Sequence, residues 1–201
     1  MAVTDQLMAA LRSGGLDKLG AGLGLDPGKA EAGVEAALPV LVGALAKNAA
    51  KPEGAAALEQ ALERDHDGSV LEQLGAAAPD SLVEQGGGIL RHVLGGKAPK
   101  VEQGLAEVAG LGSDQAGRLL AALAPLVMGA LGKARRQTGL DAGGLAGLLA
   151  GEARAVTGKA PQARSLLSGL LDADGDGDVD AGDLLERGSG LLGGLFGGSD
   201  R

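Results

Sequence analysis

Pro39-Val-Leu-Val-Gly-Ala-Leu-Ala-Lys47 and Pro125-Leu-Val-Met-Gly-Ala-Leu-Gly-Lys133 are two versions of one apolar segment, 86 residues apart (125 − 39 = 86). Around the first copy, Leu16, Leu19 and Leu23 and the run from Ala30 to Leu45 carry three- and four-residue apolar spacing. No stretch alternates with period two over a useful length, so the pattern predicts helices and an all-α fold. Asp26-Pro27 reads as a cap followed by proline at the first helical position, and Ser113-Asp114 begins the equivalent helix of the second copy. Pro39 and Pro125 fall inside the apolar runs. Each is expected to kink its helix or start a new one, because proline lacks the N–H and clashes with the preceding turn.

The match extends in both directions. At the same offset Gly24-Leu25 meets Gly110-Leu111, Ala30 meets Ala116 and Val34 meets Leu120. Further on, Glu84-Gln-Gly-Gly-Gly-Ile-Leu-Arg-His-Val-Leu-Gly-Gly96 matches Glu186-Arg-Gly-Ser-Gly-Leu-Leu-Gly-Gly-Leu-Phe-Gly-Gly198, now 102 residues apart (186 − 84 = 102). Internal duplication is the economical reading. It predicts two tandem pseudo-repeats of short helices, residues 1–97 and 98–201, packed together as one domain. The glycines at 86–88, 95–96, 193–194 and 197–198 are expected to punctuate helix ends. Residues 138–161 lack a counterpart in the first copy and form either an added helix, Leu140 to Val156, or a loose connector.

Between the matched blocks the second copy carries Asp172-Ala-Asp-Gly-Asp-Gly-Asp-Val-Asp-Ala-Gly-Asp183. An EF-hand calcium loop takes ligands from positions 1, 3, 5, 7, 9 and 12 and glycine at 6. Asp172, Asp174 and Asp176 hold 1, 3 and 5, and Gly177 holds 6. Asp178 would offer its carbonyl from 7, Asp180 would act through water from 9, and Asp183 closes the loop at 12. Val179 at position 8 is apolar, as an inward-facing anchor should be. Six carboxylates so close repel one another, and a hard divalent ion converts that repulsion into coordination. Asp183 is one methylene shorter than the usual glutamate, which weakens calcium and makes magnesium a better competitor. A loop ending in aspartate resembles dockerin-type calcium loops, over these twelve residues alone. In the first copy Glu63, Asp65, Asp67, Gly68 and Val70 correspond to positions 1, 3, 5, 6 and 8, but position 12 is Leu74. That turn is expected to keep its shape for packing and to bind an ion weakly at best.

Composition bounds the rest. The 201 residues include 38 glycines, one phenylalanine and no tryptophan, tyrosine or cysteine. The core must be Leu, Ala and Val, and a disulfide framework or zinc–thiolate site is excluded. A net charge of −8 argues against nucleic acid, whose phosphates need clustered Lys and Arg. The one local basic group, Lys133-Ala-Arg-Arg136, suits a helix C-terminus. The first twelve residues lack a basic start followed by an apolar run, and the uncharged stretch Leu119–Gly132 is too short for a membrane span. The expectation is therefore a cytoplasmic protein without a membrane partner.

Several blocks also carry a family resemblance: Leu38-Pro-Val-Leu-Val-Gly-Ala-Leu-Ala46, Pro52-Glu-Gly-Ala-Ala-Ala-Leu58, Asp65-His-Asp-Gly-Ser69, Gly88-Ile-Leu-Arg-His-Val-Leu-Gly-Gly96 and Ala124-Pro-Leu-Val-Met-Gly-Ala-Leu-Gly132. From about Leu16 onward the chain resembles an uncharacterised bacterial helical family related to the YidB-like proteins. The resemblance implies a soluble all-helical bacterial protein and brings no activity or catalytic residue.

Catalysis is not expected. The histidines are only His66 and His92, and Gly188-Ser-Gly-Leu-Leu-Gly193 follows no strand, so it fails as a dinucleotide fingerprint. Two readings stay open. The chain is a calcium-binding, non-enzymatic helical module, or it is a structural or interaction protein whose ion loop is a stabilising clip. In the second case the strip Leu191-Leu-Gly-Gly-Leu-Phe196 would dock on a protein partner or a second copy.

Overall fold

The structure, a computed structural model, describes residues 2–72 and 78–159. These residues form α1 (Val3–Ala10), α2 (Leu16–Leu23), α3 (Pro27–Ala49), α4 (Pro52–Arg64), α5 (Ser69–Glu72), α6 (Pro79–Leu94), α7 (Ala98–Ala109), α8 (Ser113–Thr138) and α9 (Ala142–Lys159). There is no strand among the described residues, so the fold is all-α as the apolar spacing predicts. Leu74, the loop Asp172–Asp183 and the strip Leu191–Phe196 lie outside the described residues.

Local chemistry sets the boundaries. Asp26 accepts a hydrogen bond from the Lys29 N–H at 3.0 Å, capping α3 just before Pro27. Helix α2 ends at Gly24 in the left-handed region (φ +67°), with Leu25 N–H returning to the Gly20 carbonyl at 2.8 Å. Helix α7 ends the same way at Gly110 (φ +63°), with Leu111 N–H bonded to the Ala106 carbonyl at 2.9 Å. Both are left-handed caps that glycine takes without steric cost. Helix α8 does begin at Ser113, and Gln115 supports that end: its Oε1 accepts from the Gly112 N–H and its Nε2 donates to the Gly24 carbonyl.

The two quoted segments form the centre. Every residue from Ala36 to Leu45 in α3 and from Leu119 to Gly132 in α8 is buried. A helix apolar on all sides belongs inside a bundle. By length and composition α8 would pass for a membrane span, yet most of its apolar stretch is buried within the protein. Helix α6 makes the most extensive contact with α8, and α3 packs on α7, α8 and α9. The segment after Thr138 is a helix, α9, rather than a loose connector.

Three expectations are corrected. Helices α3 and α8 run 23 and 26 residues, so the helices are not all short. Neither proline starts a new helix: Pro39 and Pro125 each stand at the thirteenth residue of a continuous one. Packing on all sides holds these helices together where an isolated one would break at proline. The glycines at 86–88 lie within α6 and do not end it. The reason is close approach, since a Cβ on Gly86 would overlap the Ala121 carbonyl oxygen. That carbonyl is the one whose partner N–H is missing because residue 125 is proline.

The buried carboxylate of Glu152 on α9 holds the start of α1. It accepts from Val3 N–H at 2.7 Å, Thr4 N–H at 3.1 Å and the Thr4 hydroxyl at 2.6 Å. A helix N-terminus offers unpaired N–H groups and a favourable dipole to such an anion.

Candidate functional site

The expected ion ligands Asp172, Asp174, Asp176, Asp178, Asp180 and Asp183 lie outside the described residues, whereas the turn from Glu63 that the sequence aligns with that loop is described through Glu72. Asp65 follows the end of α4, and Gly68 takes φ +92°. Asp67 accepts from the Ser69 N–H at 2.9 Å. Hydrogen bonds from Ser69, side chain first and then backbone, hold its carboxyl below the usual carboxylate range, and Arg136 at 3.8 Å adds to the effect. Glu63 approaches Arg135 at 3.5 Å, and Glu59 bonds the same guanidinium at 3.1 Å. Glu63 and Asp67 thus face Arg135 and Arg136 in the last turn of α8, so these arginines, expected as a complement to the helix C-terminus, also pair with acids of the turn. The turn also sits tightly on α8: a Cβ on Gly132 would overlap the His66 carbonyl oxygen, and one on Gly129 would overlap Val70. Val70 thus packs inward, as position 8 of the turn predicts. Among the described residues no group of three or more His, Cys, Asp or Glu could hold a metal.

The larger feature is a cavity of about 300 Å³ between the C-terminal end of α3, α4, α6 and α8. Its floor includes the buried side chains of Leu45, Leu58 and Met128. Lys51 and His92 line it from exposed positions at the rim. Asn48 donates its side-chain N–H to the Val93 carbonyl at 2.9 Å, which ties α3 to α6 along the wall. Gly54 lets α4 press against α3, because a Cβ there would overlap the Asn48 carbonyl oxygen.

His66 and His92, far apart in sequence, both line this cavity. Burial pushes the His66 imidazole below its ordinary value, with the charge of Asp65 opposing the shift. Among the described residues neither Asp nor Glu lines the cavity, nor does a hydroxyl side chain, although the chain is acidic overall. Sequence reasoning singled out both histidines, one in a turn and one on a helix, and did not bring them together. Their being the only two histidines was the available signal.

A model of a family described as "Bacterial protein of unknown function (DUF937)" matches residues 5–134. No curated protein and no solved structure matches the chain. The described residues that line the cavity all fall within the matched span, and the acidic loop lies beyond it.

Proposed function

The chain belongs to the bacterial DUF937 family, whose function is unknown, and on that premise we propose that it is a non-enzymatic, cytoplasmic protein whose loop Asp172–Asp183 binds a divalent cation, calcium before magnesium. The observation that carries this reading is spacing: aspartates at positions 1, 3, 5 and 12, glycine at 6 and valine at 8. The first turn supports it by contrast. Its Glu63 and Asp67 are engaged by Arg135, Ser69 and Arg136, which leaves the cation to the second loop. Calorimetry on the chelator-treated protein should give saturable heat with calcium, and Asp172→Ala with Asp176→Ala should abolish it. A flat titration of the unaltered chain removes the reading.

A second role, the loop as a stabilising clip in an interaction protein, is favoured by the apolar strip Leu191–Phe196. A clip raises the melting temperature on adding calcium, whereas a sensor also changes its exposed apolar surface. We further read residues 1–97 and 98–201 as tandem copies, related to the YidB-like proteins through the quoted blocks. The paired caps at Gly24 and Gly110 and the thirteenth-residue prolines support the duplication.

A further inference from the structure

The cavity between α3, α4, α6 and α8 has a sidedness that suits one class of ligand. At about 300 Å³ it stands at the low end of small-molecule sites. Its floor is aliphatic, and its polar side chains are few: Asn48, Lys51, His66 and His92. One N–H of the Asn48 side chain is already committed to Val93. A sugar or nucleotide would leave most of its polar groups unpaired in such a slot. A cation would find no carboxylate among the described residues of the lining, in a chain with 26 acids against 18 Lys and Arg. Positive charge stands at the rim, where Lys51 directly precedes α4. No side chain caps that helix, so its first-turn N–H groups add to the attraction for an anion. Glu53, in the same turn, is exposed and does not line the cavity.

We propose that this cavity binds a small amphiphilic anion, a medium-chain monocarboxylate whose tail lies on Leu45, Leu58 and Met128 and whose head group meets Lys51 and His92. The site is separate from the acidic loop, and its test is run with chelator present so that the loop plays no part.

The protein carries its own reporters, since its only two histidines both line the cavity. Octanoate and decanoate are titrated, below their micellar concentrations, into the full chain while the two imidazole proton resonances are followed by NMR. Both resonances should move saturably, and decanoate should bind more tightly than octanoate. Decanol and a decyl ammonium salt should bind at least about tenfold more weakly. Lys51→Glu should cost about tenfold in affinity for decanoate. Gly88→Leu is the decisive variant. Gly88 lines the cavity and a Cβ there would meet nothing within 4 Å, so a leucine at this position is expected to occupy the slot while improving a helical position. It should abolish binding while the melting temperature holds or rises. Equal binding of the alcohol or the ammonium salt overturns the proposal, as do unmoved histidine resonances. So does a Gly88→Leu protein that binds decanoate as before.

Discussion

Gly86 and Gly87 are neighbours on α6 with opposite requirements. A Cβ on Gly86 meets the Ala121 carbonyl, and one on Gly87 meets nothing within 4 Å. Gly86→Ala should therefore destabilise by about 1–3 kcal/mol, the usual range for overpacking against backbone. Gly87→Ala should stabilise by up to about 1 kcal/mol, because it only improves helix propensity. Urea denaturation of both variants separates the cases, and equal effects would refute the close contact. From sequence, Gly86-Gly-Gly88 reads as a break; which glycine faces a carbonyl depends on Ala121, 35 residues later (121 − 86 = 35). His66 yields a pH prediction whose sign follows from its burial. Its folded pKa lies below the ordinary 6.5, so the unfolded chain takes up the proton first as pH falls. The stabilising contribution is whole above pH 6.5, declines as pH drops below it, and is lost once the folded pKa is passed. Melting temperatures between pH 7.5 and 5 should fall less steeply for His66→Gln than for the unaltered chain.

At the scale of elements, helix starts were legible and helix interruptions were not. Asp26-Pro27 and Ser113 announce α3 and α8 because capping is a local matter. Pro39 and Pro125 are equally visible, but their effect is decided by neighbours that enclose the helix on every side. Glu152 illustrates the same limit. It stands in a glycine- and alanine-rich helix with nothing to mark it as buried, yet it receives three hydrogen bonds from residues almost 150 positions earlier. Glu152→Ala should leave Val3 N–H, Thr4 N–H and the Thr4 hydroxyl buried without this partner, at a cost of about 1–3 kcal/mol. The loss should be local first. Amide exchange should quicken across Val3–Ala10 while α3 and α8 keep their protection, and uniform loss of protection would show that α1 is not a separable unit.

For the whole molecule, the all-α class follows from periodicity, while the cavity does not, because it arises where four helices fail to meet. Its lining comes from positions between Leu45 and Met128 that form no motif together. The acidic loop proposed above is a different kind of reading, since an EF-hand-type site is contiguous in sequence and can be suggested by spacing alone. How the two halves share a core is also a property of the assembled chain. Helix α3 from the first half packs on α7, α8 and α9 from the second, and α6 makes its main contact with α8. Leu119, Leu120, Leu123 and Leu126 are fully buried by this arrangement, as are Leu145 and Leu149. Cutting the chain between Lys97 and Ala98 would expose those surfaces on both fragments, and among the described residues neither half has another layer to cover them. Each lost leucine contact removes about 1.5–3 kcal/mol of burial, more in sum than a domain of this size has to spare. Residues 1–97 and 98–201, made separately, should each show little helical circular dichroism and no cooperative melt. Mixed at equal concentration they should recover both, with a melting temperature that rises with concentration as association requires. A fragment that melts cooperatively on its own would mean that each half carries its own core.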